Sequence, residues 1–231
     1  APTTHASGSY QSPVEVTWDT LPLDDRIELL HQQSRLLGID DRIVNWGASL
    51  VRRDVDQLLL TASSDGGSGR IEQRFRVVYP GLSATANEGT NTQTRTFGAQ
   101  AFCGQGGAEV LGRYGFGDAA TRLADQALEL LSAPNCPTGG MDALLAPDQM
   151  FLQIHESIGH PLELDRILGD ERNYAGTSFV TPDMVGTYQY GSELLNVTFD
   201  PTVPGQLASY GFDDDGTPAE RQHLIEDGIL V

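Results

Sequence analysis

Residues 155–161 read His-Glu-Ser-Ile-Gly-His-Pro, and this run constrains the local fold more than any other part of the chain. Two imidazoles and a neighbouring carboxylate are the groups that a hydrolytic zinc site requires, because they provide two neutral nitrogen ligands and a base. The familiar motif of this kind places its histidines four residues apart, whereas His155 and His160 are five apart. On a regular α-helix, five residues turn the chain by about 500°, so the two imidazoles would lie roughly 140° apart around the axis.

A glycine and a proline in the same turn indicate how both histidines can still face one ion. Pro161 has no N–H for the carbonyl of Ser157, and its ring clashes with that carbonyl in a regular helix. Gly159 loosens the same turn. We therefore expect a kinked or widened, π-like turn between Ser157 and His160, because such a turn brings residues five apart towards one face.

The same segment also fits an ordinary buried helix. Its side chains recur at the spacing of a single helix face, at Phe151, Ile154, His155 and Ile158. In this interpretation His155 is a hydrogen-bonded core histidine and Glu156 is a surface carboxylate. The motif alone leaves both interpretations open, because short patterns match by chance.

Acidic residues follow the motif and are candidate partners for the imidazoles. Glu163 and Asp165 come shortly after His160, and metal-bound histidines usually donate their second ring N–H to a carboxylate or carbonyl. The alternative is a solvated acidic loop that also includes Asp170. His223, in a strand-like segment, is a further candidate ligand only because it is available.

The wider sequence resembles the TldD/PmbA family of metalloproteases. The stretch from residue 155 to residue 178 reads HESIGHPLELDRILGDERNYAGTS, which is similar to the family's HExxxH helix and the Gly-Thr-Ser that follows it. Further segments that resemble the family are residues 42–66, 118–133, 191–200 and 213–231. The resemblance therefore covers most of the chain after residue 40.

This resemblance implies a cytoplasmic zinc peptidase that hydrolyses unfolded or short peptides and precursors. It makes His155 and His160 the zinc ligands and Glu156 the general base. It also implies a partner, either a homologous TldE/PmbA-like subunit without the metal motif or a second copy in a homo-oligomer. The family's third protein ligand is a downstream cysteine, whereas Cys103 and Cys136 both precede the motif.

We therefore expect the third ligand to lie outside this chain, and the chain to be a fragment of a family member. The alternative function is a truncated, non-catalytic fragment that acts as a subunit-interaction module. A sheet in such a module should expose an apolar edge and associate with other chains.

Charge and composition exclude other classes of partner. The formal net charge is −18, and all 14 basic residues are arginines, so we expect no nucleic-acid groove, which would need clustered cations. No stretch approaches the roughly 20 apolar residues that would span a membrane. Two cysteines outside any CxxC pattern do not indicate a disulfide framework.

The predicted fold class is α+β, with largely antiparallel or mixed sheets and a few long helices, one of which carries the HExxxH motif. The Pro- and Gly-rich stretch at residues 133–140 is the best candidate boundary. It divides the chain into three parts, namely a flexible tail (1–13), an incomplete N-terminal α+β domain (14–134) and the start of a C-terminal metalloprotease domain (135–231).

Periodicity and capping residues predict the individual elements. Helices are predicted over residues 24–37 and 118–131, and the motif helix is expected to begin at Pro147-Asp148. Strands are predicted over 42–62, with a break at 54–56, and then over 70–88, 90–101 and 141–145.

Overall fold

The computed structural model describes residues 5–64 and 66–231, which form two compact units. The first unit consists of residues up to 137 together with Pro201–Ala219. The second consists of Thr138–Asp200 and Glu220–Val231. The domain bounds of 14–134 and 135–231 stay a prediction from the sequence.

In the part of the first unit that the structure describes, one sheet is combined with three α-helices. Its strands are β1 (Gly8–Gln11), β2 (Ile43–Ala62), β3 (Ser68–Glu88), β4 (Asn91–Phe97) and β5 (Gly104–Gln105). Its helices are α1 (Leu23–Leu37), α2 (Glu109–Arg113) and α3 (Phe116–Leu130), with 3₁₀ turns at Trp18–Thr20 and Ala99–Phe102. Helices α1 and α3 begin and end within two residues of the predicted bounds.

Strand β3 organises this sheet. It pairs antiparallel with β2, β4 and β5, and parallel with β1. Helices α1 and α3 pack beside the sheet over a core of apolar side chains, among them Leu37, Ala84, Phe97, Phe116, Ala120 and Ala124. The mixture of antiparallel and parallel strands with a few helices confirms the predicted α+β class.

The break predicted at 54–56 is wrong, because β2 continues through it. The acids that suggested a turn are compensated by arginines on the same sheet. Arg76 of β3 binds Asp56 of β2 with an N–O distance of 2.8 Å and lies 3.9 Å from Asp54, which also binds Arg52 of its own strand at 2.7 Å. Opposite charges on neighbouring strands stabilise a pairing that the acids alone would disfavour.

Part of the segment predicted as a flexible tail lies in a strand. Residues 1–4 lie outside the described residues, but β1 pairs with β3 over Gly8–Gln11. The hydroxyls of Tyr10 and Ser12 both donate to the buried side-chain oxygen of Gln105, at 2.8 and 2.6 Å. These long-range hydrogen bonds order a segment that shows no periodicity of its own.

The second unit carries the motif. Its helices are α4 (Pro147–Ile154) and α5 (Leu164–Leu168), with a π-helical turn at His155–Gly159 and 3₁₀ turns at His160–Leu162 and Pro182–Met184. Its strands β6 (Val197–Phe199), β7 (Gln222–Glu226) and β8 (Ile229–Leu230) form an antiparallel sheet. No helix within the described residues is long and apolar enough to cross a membrane.

The strand predicted over 141–145 is wrong. The segment has no regular structure, and Leu144 is fully exposed. None of the strand pairs among the described residues includes it. An apolar run forms a strand only when a neighbouring strand completes its backbone hydrogen bonds.

Candidate metal centre

The two histidines lie at the two ends of an irregular helical turn. Helix α4 begins at Pro147, a residue suited to the first turn because it has no N–H to leave unpaired. After Ile154 the backbone widens into the π turn, and the N–H of His160 donates to the carbonyl of His155. This i to i+5 bond is the local geometry predicted from the spacing of the histidines and the presence of Pro161, and the structure confirms it.

The π turn brings three donor side chains together. A ligand atom from each of His155, Glu156 and His160 lies within 4.8 Å of the others. The two imidazole centroids are 4.2 Å apart, and the ring planes are inclined by 68°. Two imidazole nitrogens with a carboxylate beside them fit the donor set of a hydrolytic zinc site.

Exposure argues against the alternative of a core histidine. The side chain of His155 is 54% exposed and that of Glu156 is 61% exposed, whereas His160 is more protected at 29%. An exposed imidazole beside a second imidazole has no packing role in a core. The arrangement leaves His155 and Glu156 accessible to a ligand and to water.

A carboxylate and a guanidinium fix the orientation of His160. Its Nδ1 lies 2.8 Å from a carboxylate oxygen of Glu163, and the other oxygen of Glu163 is bound by Arg166. Arg166 also reaches Nδ1 of His160 at 3.2 Å, but the shorter contact to Glu163 favours a ring that donates from Nδ1. That tautomer leaves the Nε2 lone pair free to bind a metal.

The same contacts set the charge of Glu163. Its hydrogen bond with His160 is the main cause that holds the pKa of the Glu163 carboxyl below its ordinary value. Desolvation opposes this lowering, and the hydrogen bond and charge of Arg166 add to it. Glu163 therefore stays ionised beside His160.

The other predicted site residues lie elsewhere. The carboxylate of Asp165 accepts the backbone N–H of Arg166 at 2.8 Å, so it serves the first turn of α5. His223 lies on β7 opposite Thr198, and it is not a member of the three-residue cluster. Of the two acids predicted to support the imidazoles, the structure brings Glu163 to His160.

Two hydroxyls that the sequence did not indicate support the turn. Tyr190 donates to the carbonyl of Ser157 at 2.6 Å, and Ser178 donates to the carbonyl of Pro161 at 2.6 Å. In the sequence, Pro161 indicates that such a contact is needed. It has no N–H, so the carbonyl of Ser157 must accept a hydrogen bond from another donor. The sequence could not say which residue would provide it.

Comparison with known protein families identifies the chain through this same region. Residues 138–231 match the family described as the PmbA/TldA metallopeptidase C-terminal domain. Residues 138–231 therefore belong to the TldD/PmbA family. The matched residues include the motif helix, the π turn and the acids that follow.

Curated relatives extend the match to the rest of the chain. A metalloprotease from Methanothermobacter thermautotrophicus is 29% identical over 211 residues, which cover 91% of this chain and 43% of the relative. A metalloprotease TldD homolog from Haemophilus influenzae is 26% identical and covers 92% of this chain and 42% of the relative. The chain thus spans less than half the length of these TldD/PmbA relatives, and their names support membership of a metallopeptidase family.

Solved structures share the fold at low sequence identity. A Bacteroides thetaiotaomicron protein, described as a candidate modulator of DNA gyrase, has a TM-score of 0.63 at 17% identity and covers 95% of this chain and 46% of its own. TldE from Thermococcus kodakarensis has a TM-score of 0.50 at 17% identity, with 97% and 47% covered. These likenesses concern the TldD/PmbA fold alone.

Proposed function

We propose that the protein is a zinc-dependent peptidase of the TldD type that hydrolyses unfolded or short peptides. The observation that carries this proposal is the cluster of His155, Glu156 and His160, whose ligand atoms lie within 4.8 Å of one another. Membership of a metallopeptidase family supports a hydrolytic reaction. Zinc is the metal we propose, because two imidazoles beside a carboxylate are a common donor set for catalytic zinc.

Each residue of the cluster has a distinct role in this mechanism. His155 and His160 would hold the ion, and Glu163 keeps the ring of His160 in the tautomer that presents Nε2. Zinc, when bound, would supply a Lewis acid for the scissile carbonyl and would lower the pKa of a water molecule to about 7. Glu156 accepts the proton of the attacking water and donates it to the leaving amine.

The remaining parts of the proposal come from the family resemblance. We propose that a third ligand completes the site beside His155 and His160, and that the protein acts in the cytoplasm. A homologous TldE/PmbA-like subunit or a second copy of the chain is the proposed partner, which agrees with the likeness to TldE. An enclosed site shared with such a partner would admit only unfolded or short peptides.

Metal stoichiometry tests the proposal directly. Elemental analysis of the purified chain should find one zinc per chain in the wild type and none after His155→Ala. The matched control is His223→Ala, which removes an imidazole outside the cluster and should retain the zinc. A wild type without zinc, or equal zinc in all three proteins, would contradict the proposed function.

One observation favours a second candidate, the subunit-interaction module. Strand β2 pairs only with β3 among the described strands, so one edge of its backbone has no strand partner there. Leu58 and Leu60 of this strand are 54% and 62% exposed. An exposed apolar edge strand is a surface on which another chain can pair. Light scattering decides this point, because a monodisperse monomer at high concentration would count against the module.

A further inference from the structure

The pairing of the two histidines depends on the persistence of the π turn. On a regular helix, residues five apart lie about 140° apart around the axis, and the two imidazoles could not reach one ion. Here the bond from the His160 N–H to the His155 carbonyl closes a wider loop, and the imidazole centroids are 4.2 Å apart. A π turn is less favourable than the α-helix, so other contacts must hold it.

One carbonyl inside the turn lacks its usual partner. In an α-helix the carbonyl of Ser157 would accept the N–H of residue 161, and Pro161 has none. The phenolic hydroxyl of Tyr190 donates to this carbonyl at 2.6 Å. We propose that Tyr190 is a positioning residue for the metal centre, because its hydroxyl holds the π turn in the form that presents His155 and His160 together.

Tyr190 is itself held in place from several sides. Its ring lies 5.7 Å from that of Phe179 and 5.9 Å from that of Tyr188, between centroids. Its backbone N–H donates to the carbonyl of Gly228 at 2.8 Å, next to β8. Partial burial raises the pKa of the Tyr190 hydroxyl, so the group remains a donor through neutral pH. Tyr190 therefore connects the π turn, through its hydroxyl, to the residue before β8, through its backbone N–H.

The neighbouring Ser178 makes a related contact but serves a different carbonyl. Its hydroxyl donates to the carbonyl of Pro161 at 2.6 Å and accepts the N–H of Val180 at 2.9 Å. That carbonyl lies beyond His160, outside the loop that the π bond closes. Tyr190, in contrast, donates to the carbonyl of Ser157, which lies inside that loop.

The expected effect of Tyr190 on Zn²⁺ binding rests on the proposed function. The experiments below distinguish a failure of the role of Tyr190 from a failure of the proposed function. Tyr190→Phe removes only the hydroxyl, and the control Tyr188→Phe removes a hydroxyl from the adjacent ring. We measure Zn²⁺ affinity by competition with a chromogenic chelator, and the visible spectrum with Co²⁺ as a probe of coordination geometry. Tyr190→Phe should weaken Zn²⁺ binding about tenfold and change the Co²⁺ spectrum, whereas Tyr188→Phe should do neither.

A second background tests whether Tyr190 acts through the Ser157 carbonyl. Pro161→Ala restores an N–H that competes for this carbonyl and favours a regular helix, so it should weaken Zn²⁺ binding by itself. Adding Tyr190→Phe to Pro161→Ala should then have little further effect, because the hydroxyl no longer controls the turn. Equal losses from Tyr190→Phe in both backgrounds would overturn the inference.

A metal-free measurement gives a separate criterion. Amide hydrogen exchange at His160 reports the π bond directly, and Tyr190→Phe should accelerate it about two- to tenfold in the metal-free protein. A wild type that binds no Zn²⁺ contradicts the proposed function but leaves this readout intact. The role of Tyr190 is overturned if Tyr190→Phe leaves amide exchange at His160 unchanged. It is also overturned if the wild type binds Zn²⁺ and Tyr190→Phe binds it with the same affinity.

Discussion

At the scale of single residues, Glu156 is the side chain on which the proposed chemistry depends. Glu156→Gln keeps the size of the side chain but removes the base, so peptide turnover should fall about 10²- to 10⁴-fold while zinc content is unchanged. Hydrolysis of an unstructured peptide, measured beside elemental analysis, checks this expectation. The control is Glu193→Gln, an exposed carboxylate outside the cluster. Full activity in Glu156→Gln would remove the residue from its proposed role.

Two neighbouring acids are distinguished only by the structure. Glu163 contacts Nδ1 of His160, whereas Asp165 accepts the backbone N–H of Arg166. Glu163→Gln should therefore weaken zinc affinity about 10- to 100-fold, and Asp165→Asn should leave it nearly unchanged. Competition titrations with a zinc chelator measure both. Equal effects of the two substitutions would show that the contact to His160 does not orient the ring.

The site residues differ in how far the sequence could identify them. The short motif made His155, Glu156 and His160 candidates, since all three lie within one helical segment, and the family resemblance implied their roles. Glu163 could be proposed but not separated from Asp165, because the choice depends on which acid the 3₁₀ turn after His160 directs back to the ring. Tyr190 could not be found, because its contact with the turn spans 33 residues.

At the scale of elements, a single carboxylate fixes the start of helix α2. Glu109 accepts the backbone N–H groups of Val16 at 2.9 Å and Gly107 at 2.8 Å. Burial raises the pKa of the Glu109 carboxyl, but these N–H groups outweigh it and leave the pKa below its ordinary value of 4.5. The stabilisation is therefore present above pH 4.5 and is lost as the pH falls through the lower, folded-state pKa.

Replacement of this carboxylate should show that pH dependence. Glu109→Gln should lower the free energy of unfolding by about 1–3 kcal/mol at pH 7, and by less in acid, because the stabilisation from the ionised carboxyl decreases as the pH falls below 4.5. Urea unfolding at pH 7 and pH 3 measures the difference, with the exposed Glu129→Gln of α3 as the control. If Glu109→Gln lowers the free energy of unfolding as much at pH 3 as at pH 7, the stabilisation does not come from the ionised carboxylate.

The elements that were predicted incorrectly share one physical cause. Strand β2 continues across its acids because arginines on the sheet bind them, and the segment 141–145 stays irregular because no described strand pairs with it. Local sequence determines helices such as α1 and α3, whose hydrogen bonds lie within the element. Strand formation depends on partners distant in sequence, which a local pattern does not contain.

At the scale of the whole molecule, two glutamines explain why Pro201–Ala219 belongs to the first unit. Gln105 is fully buried and donates to the carbonyls of Ser209 at 2.6 Å and Leu207 at 3.2 Å. Gln73 accepts the N–H of Phe212 and donates to its carbonyl, at 3.0 and 2.8 Å. The sequence assigned this segment to the second domain, because buried amide contacts produce no periodic signal.

Gln105→Leu tests whether these contacts hold Pro201–Ala219 in place. Leucine fills a similar volume but leaves the Ser209 carbonyl and the Ser12 hydroxyl without their buried partner, so unfolding should become easier by about 2–4 kcal/mol. Limited proteolysis should cut within 201–219 earlier than in the wild type, because this stretch has little secondary structure of its own. The control Gln149→Leu changes an exposed residue of α4 and should alter neither measurement. If Gln105→Leu lowers stability without faster cleavage there, apolar packing and not the amide network holds the segment.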